Sequence, residues 1–179
     1  FPKKPYKIET WNENNEDLDV SLLGMPADSD WVLRNPYSDK TLMRDALTFE
    51  LSNRMKHYAP SAKHVEVFFN ADGGQVGGQG SNDYMGVYIL VEKIKRGKGR
   101  IEIEKLKPSD DVEPEITGGY ILKRDRKRSF EDAFYTWAGQ WLYVEPSYTE
   151  ITQAQKDYIK GYIEEFETVL RDVNYDDPI

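Results

Sequence analysis

Short segments of alternating apolar and polar residues, interrupted by only two stretches of helical periodicity, constrain the fold of this chain most. Alternation with a period of two is typical of strands that bury one face. We predict strands in the following segments: Tyr6–Trp11, Trp31–Leu33, Val65–Phe69, Tyr84–Val91, Ile101–Glu104, Gly118–Leu122 and Trp141–Val144. The order predicts an α+β fold with a mostly antiparallel sheet, a helix after the first strands and an amphipathic helix near the carboxyl end.

The first helical stretch carries a charged residue within its apolar side. Ser38 or Asp39 can cap its start, and the pattern extends to about Met55. Its apolar residues lie on one broad arc, and Glu50 lies near the middle of that arc. A carboxylate there needs a partner, because an unpaired buried charge is strongly unfavourable.

The second helical stretch has a clearer start. Thr152 and Gln155 form a capping-box pattern at its amino end. Apolar residues then recur at helical spacing as far as Val173. We therefore predict a long amphipathic helix from about Thr152 to Val173.

The composition excludes several classes of protein. The chain has 179 residues and a formal net charge of −8, from 24 lysines and arginines against 32 aspartates and glutamates. An acidic chain is a poor general binder of nucleic acid, because phosphate neutralisation needs a basic face. A chain without cysteine has no disulfides, thiolate metal sites or cysteine nucleophiles. No apolar run reaches the roughly 18–20 residues that a membrane span requires.

Short nucleotide-binding and metal-binding motifs do not occur in the sequence. The single Gly-Lys pair is Gly97-Lys98, and Glu92 occupies the position where a Walker A motif needs its first glycine. Two histidines are too few for a histidine metal cluster. The remaining signal is the order of the elements.

That order is the layout of a kinase amino-terminal lobe. In such a lobe a strand lysine contacts nucleotide phosphates, and a helix carboxylate holds that lysine in place. Lys3 or Lys4 would be the lysine and Glu50 the carboxylate, while Leu90–Ile94 would pass the adenine as a hinge. The alternative is that Glu50 simply pairs with Arg54, four residues later on the same helix.

Several blocks of sequence extend this comparison to a named family. These blocks are Phe1–Lys4, Asp30–Leu33, Pro36–Arg44, Tyr58–Pro60, Tyr84–Ile94, Gly118–Leu122, Tyr143–Pro146 and Gln155–Glu167. Together they resemble the CotH family of spore-coat kinase-like proteins, in order and over nearly the whole chain.

The resemblance implies an atypical protein kinase that uses ATP and a divalent metal, Mg²⁺, to phosphorylate serines of a protein substrate. It implies that Lys3 or Lys4 lies near the phosphates, that Arg44 and Glu50 lie on the helix, and that Glu92 and Lys93 lie near the hinge. It also implies a place outside the cytoplasm, at the cell surface or in the spore coat. The alternative is a non-catalytic scaffold or adhesion module with the same fold.

The resemblance also implies that residues 1–179 are one unit of a larger kinase domain. The catalytic base and the metal-binding aspartates are then expected downstream of Ile179, so no residue here is assigned to either role. We expect the isolated chain to be inactive. The sequence indicates neither the identity of the substrate nor the oligomeric state.

Three further features each have two interpretations. The glycine-rich loop Asp72–Gly80 is either a phosphate cradle or a plain connection. The basic turn Lys93–Arg100 either meets an acidic substrate or phosphate, or is simply solvated. Four aromatic residues near the carboxyl end either form a sugar-stacking platform or pack the last helix onto the sheet. They are Tyr135, Trp137, Trp141 and Tyr143.

Overall fold

The computed structural model describes residues 3–71, 73–77 and 82–172. The chain divides into two compact units, Phe1–Ile94 and Lys95–Ile179, and each is described by itself. That residues 1–179 act as one unit of a larger domain stays a prediction. The two antiparallel sheets and two helices confirm the α+β class.

The first unit is built on an antiparallel sheet of four strands. They are β1 (Tyr6–Glu9), β2 (Asp30–Arg34), β3 (Ala62–Phe68) and β4 (Tyr84–Glu92), in the order β1-β2-β4-β3. Helix α1 (Arg44–Arg54) lies between β2 and β3 in sequence.

The core of the first unit centres on β4, which pairs with a strand on each side. Trp31, Leu33, Tyr88 and Leu90 are buried there together with Met25. Every residue from Tyr88 to Glu92 is buried, which is why this segment reads as a continuous apolar run rather than an alternating one.

Helix α1 differs from the prediction in its start and in its burial. It begins at Arg44, because the Asp39 carboxylate accepts the backbone N–H groups of Thr41 and Arg44, and Leu42 has a left-handed φ of 58°. No residue of α1 is buried. The predicted position of Glu50 on a buried apolar face is therefore wrong.

The second unit contains a three-stranded antiparallel sheet and the long helix. The strands β5 (Ile121–Lys123), β6 (Ala133–Thr136) and β7 (Gly139–Glu145) have the order β5-β7-β6, and a short 3₁₀ turn spans Glu115–Thr117. Helix α2 runs from Gln153 to Arg171. The core of the second unit contains Phe134, Tyr143, Ile151 and Ile159.

The capping box of α2 is confirmed. Gln155 N donates to Thr152 Oγ1 at 3.3 Å, and Thr152 N donates to Gln155 Oε1 at 3.1 Å. The predicted helix end at Val173 lies outside the described residues. No helix in the described part of the chain is long and apolar enough to cross a membrane.

Two strand predictions need correction. Ile101–Glu104 is not a strand, since Ile101 makes only an isolated bridge to Arg96 and the residues after it have no partner strand. Strand β6 was not predicted, although it pairs with β7 over its whole length. The first difference arises because alternation indicates a strand but cannot supply its partner. The second arises because β6 has only four residues, the shortest run in which alternation can be recognised.

Candidate functional site

Lys3 is anchored against the middle of β4. Its ammonium group donates to the carbonyl oxygen of Val87 and lies 4.1 Å from the ring centroid of Tyr88. The side-chain amide of Asn35 donates to the Lys3 carbonyl oxygen. Burial lowers the pKa of Lys3 from its usual value, because desolvation disfavours the charged amine.

Lys4 contributes its backbone rather than its side chain. The Tyr88 hydroxyl donates to the Lys4 carbonyl oxygen at 3.1 Å, and the Lys4 side chain is exposed. The same tyrosine thus contacts both lysines, through its ring and through its hydroxyl. Of the two lysines, Lys3 is the one whose amine is positioned by the fold.

Glu50 pairs with Arg54 rather than with a lysine. Arg54 Nε lies 2.8 Å from Glu50 Oε1, and both side chains are more than half exposed. The Lys3 ammonium donates to the Val87 carbonyl, and the ion pair that Glu50 makes among the described residues is with Arg54. The structure adopts the alternative arrangement, the i,i+4 ion pair within α1.

Arg44 also makes a local contact at the start of α1. Its Nε lies 3.5 Å from Asp39 Oδ1, and its side chain is 79% exposed. Hydrogen bonds from the backbone of Arg44 and from Thr41 hold the pKa of Asp39 below its usual range. Arg44 therefore contributes to the turn before the helix.

The end of β4 is fixed by two carboxylates. Glu92 is 3% exposed, and its Oε2 accepts the backbone N–H of Ser61 at 2.7 Å. Lys93 Nζ donates to Asp30 Oδ1 at 2.7 Å. Glu92 therefore ties β4 to the start of β3, and Lys93 ties the end of β4 to β2.

A cavity of about 200 Å³ in the first unit adjoins α1, the start of β3 and the chain near Met25. Its lining includes Glu50 from α1 and Ser61 and Lys63 from the region of β3. The cavity thus has Glu50 on one wall and the backbone held by Glu92 on another. Lys63 was not singled out in the sequence, because nothing in its neighbourhood distinguishes it from a solvated strand residue.

The basic turn is largely engaged in contacts within the described structure. Besides the Lys93 pair, Arg96 Nε lies 3.2 Å from Glu145 Oε1, and Arg100 is buried. Lys98 lines an open depression together with Glu102 and Glu104. These contacts favour a structural role for the turn over a broad anion-binding surface.

The aromatic residues near the carboxyl end divide into two groups. Tyr143 is buried in the core, and Trp141 packs against that core. Trp137 and Tyr135 are 72% and 62% exposed. Of the two interpretations, packing in the core thus describes Trp141 and Tyr143, whereas Tyr135 and Trp137 are largely exposed and the Trp137 ring contacts only the Arg171 guanidinium of α2 among the described ring contacts.

Asp72 and residues 78–80 of the glycine-rich loop lie outside the described residues. Within its described part, Gly77 N donates to Asp83 Oδ2 at 3.0 Å. Residues 3–71, 73–77 and 82–172 contain no group of three or more His, Cys, Asp or Glu side chains that could hold a metal ion.

Comparison with known proteins gives one result. The family model described as CotH kinase protein matches residues 1–178. No curated protein and no solved structure matches the chain. Since the match covers nearly every residue, the chain belongs to the CotH kinase protein family.

Proposed function

We propose that this chain forms part of the nucleotide site of an ATP- and metal-dependent protein kinase that phosphorylates serines of a protein substrate. The observation that carries the proposal is the family match over residues 1–178, which makes a kinase-like function the coarse assignment. We also propose a place at the cell surface or in the spore coat, by the same family resemblance.

The phosphate contact is assigned to Lys3. An ammonium group has three N–H donors, and the Val87 carbonyl uses one of them. A partly desolvated amine interacts more strongly with an anion than a fully solvated one, because less water screens the pair. Phosphate binding would also restore charge stabilisation to an amine whose pKa burial has lowered.

Glu50 can change partners at small cost. An exposed i,i+4 ion pair is worth only about 0.3–0.5 kcal/mol, so the contact with Arg54 does not oppose reorientation. Glu92 cannot do so, because it is buried and accepts a backbone N–H. In this proposal Glu50 is the adjustable carboxylate, while Glu92 and Lys93 hold the hinge segment in place.

The metal is assigned to residues other than those described. Kinases hold Mg²⁺ with carboxylate and amide oxygens, and the described residues offer no cluster of three such carboxylates. They therefore do not fit the ion. We propose that the chain alone binds nucleotide without transferring phosphate.

The test is nucleotide binding by the 179-residue chain, measured with a fluorescent ATP analogue and by the shift in melting temperature. Lys3→Met should weaken binding at least about ten-fold, the usual effect of removing a charged hydrogen-bond donor. Lys7→Met is the matched control, since Lys7 is an exposed lysine on the neighbouring strand β1. Unchanged affinity in Lys3→Met with a loss in Lys4→Met would move the assignment to Lys4.

A second candidate, a non-catalytic scaffold or adhesion module, is favoured by the exposure of apolar residues on α1 and at its two caps. Met43, Leu47, Leu51 and Met55 are each at least half exposed. A helix with such a surface suits protein contact. Failure of ATP, with and without Mg²⁺, to shift the melting temperature of the chain would favour this candidate over the kinase.

A further inference from the structure

Strand β4 contains a β-bulge beside the place where the Lys3 ammonium contacts it. Val67 of β3 lies opposite Gly86, whereas the next residue, Phe68, lies opposite Tyr84, so the register shifts here by one residue. Gly86 has a φ of +85°, in the left-handed region. Bulges change the direction of neighbouring groups and occur often beside binding sites. The irregular part of β4 thus coincides with the contact of Lys3.

The Lys3 ammonium occupies a position that β2 leaves open. The pairing of β2 with β4 ends where Arg34 lies opposite Ile89, so no residue of β2 in the described chain lies beside Val87. The Val87 carbonyl oxygen instead accepts a hydrogen bond from the ammonium. A backbone carbonyl at the edge of a sheet needs a donor, and the lysine supplies it. This contact uses one of the three N–H groups of the ammonium and leaves two for a ligand.

Gly86 provides the space in which the ammonium lies. A Cβ atom on this residue would lie 3.3 Å from Lys3 Nζ, closer than an ordinary van der Waals contact. A side chain would therefore displace the ammonium, and it would also strain a backbone with positive φ. Glycine avoids both effects.

Tyr88 holds the two lysines through different atoms. Its ring centroid lies 4.1 Å from Lys3 Nζ, which is within the range of a cation–π interaction. Its hydroxyl donates to the Lys4 carbonyl oxygen at 3.1 Å. Tyr88 is fully buried in the core of the first unit, so close packing holds its ring in place. The ring is therefore a rigid surface for the ammonium.

The backbone of Lys3 is fixed as well. The side-chain amide of Asn35 donates to the Lys3 carbonyl oxygen. Both ends of the long side chain are thus held, while Lys3 keeps part of its surface exposed. Ordering a lysine side chain costs conformational entropy, and an amine that the fold has already ordered binds an anion more tightly.

We propose that Gly86 and Tyr88 are positioning residues for the phosphate-binding amine of Lys3. Gly86 leaves the space for the ammonium, and the Tyr88 ring fixes its place beside the Val87 carbonyl. The two remaining N–H groups then serve the phosphate oxygens of the nucleotide. The inference rests on the proposed function, because it states how the lysine of that site is held.

The alternative is that Lys3 only anchors the amino-terminal segment to the edge of the sheet. In that case, changes at Gly86 and Tyr88 would lower the stability of the chain and leave the phosphate affinity of the folded chain unchanged. The two roles therefore differ in what binding measurements show.

The test combines two measurements on the 179-residue chain, labelled with ¹³C-lysine. Affinity is measured with a fluorescent ATP analogue and by displacement of that analogue with pyrophosphate, which reports on the phosphate end. The place of the amine is read from the ε-CH₂ resonance of Lys3, which the Tyr88 ring current shifts and which Lys3→Met identifies by its loss. Gly24→Ala is the matched control, because Gly24 has a φ of +75° and a Cβ there would meet nothing within 4 Å.

We expect Gly86→Ala to move the Lys3 resonance and to weaken both ligands at least about three-fold, because a displaced ammonium loses part of a charged hydrogen bond. Tyr88→Leu should have the same effect through loss of the ring. Tyr88→Phe keeps the ring and should retain both the resonance and the affinity. Gly24→Ala should change neither measurement.

The outcomes separate this inference from the proposed function. Binding that is lost in Lys3→Met but unchanged in Gly86→Ala and Tyr88→Leu would overturn the inference and leave the proposed function in place. No binding by the unsubstituted chain would overturn the proposed function and the inference together. If Tyr88→Leu does not fold, as judged by circular dichroism, the comparison of Gly86→Ala with Gly24→Ala decides alone.

Discussion

Replacing Gln155 tests how far one buried side chain organises the second unit. Gln155 is fully buried at the first turn of α2. Its Oε1 accepts the N–H of Thr152, while its Nε2 donates to the carbonyl oxygens of Lys107 at 2.7 Å and Asp110 at 3.0 Å. One amide thus joins the helix cap to the loop before the 3₁₀ turn.

The expected loss follows from these contacts. Gln155→Ala removes three side-chain hydrogen bonds, each worth about 1 kcal/mol net, and leaves two carbonyl oxygens without their donor. We expect the free energy of unfolding to fall by about 3–4 kcal/mol. Thr152→Ala removes only the reciprocal cap contact and should cost about 1 kcal/mol.

Urea denaturation followed by circular dichroism measures both values. Gln153→Ala is the matched control, because Gln153 is an exposed glutamine of the same turn whose amide bonds to Asp157 on the helix surface. Gln155→Glu keeps the acceptor for Thr152 but removes both N–H donors, so it should destabilise by at least about 2 kcal/mol. A loss in Gln155→Ala no larger than that in Gln153→Ala would refute the reasoning.

Three further predictions use the same denaturation assay. Glu92→Ala should lower the free energy of unfolding by about 2 kcal/mol, because the Ser61 N–H loses its charged acceptor. Glu50→Ala, at an exposed ion pair, should lower it by at most about 0.5 kcal/mol. A hydrogen bond from a lysine of α2 lowers the pKa of Asp132, so its stabilising effect is complete above the ordinary aspartate pKa and is lost as the pH falls through the lowered one. Asp132→Asn should therefore make the free energy of unfolding fall less steeply as the pH is lowered. Gly119→Ala should lower the free energy of unfolding by at least about 2 kcal/mol, because φ is +84° and the new Cβ would lie 2.7 Å from a backbone oxygen. Gly118→Ala is the control, since its Cβ would meet nothing within 4 Å and should change that free energy little.

Local patterns in the sequence predicted local structure well. The capping box at Thr152 and Gln155 was visible because its two residues are three apart and their preferences act together. The start of α1 was wrong because Asp39 has two local options, a helix cap or a turn, and the turn was adopted. The pattern contained both options and no means of ranking them.

The candidate site was less predictable, since its contacts join distant parts of the chain. The Glu50–Arg54 pair was foreseen as an alternative because it is local. The contact of Lys3 with Val87 spans 84 positions and could not be read from spacing. In the second unit, the buried Glu167 accepts the Thr136 hydroxyl at 2.6 Å and was also missed, although its position four residues after Ile163, within the apolar side of α2, was a usable signal.

Three glutamates show how burial separates these roles. Glu50 is exposed and weakly paired, so a ligand in the first unit can recruit it without disturbing the fold. Glu92 is buried and accepts a backbone N–H, so its removal is felt as lost stability rather than altered binding. Glu167 is buried and accepts the Thr136 hydroxyl at 2.6 Å, so it joins α2 to the end of β6 within the second unit. The proposed nucleotide site can therefore recruit Glu50, whereas Glu92 and Glu167 hold their own units together.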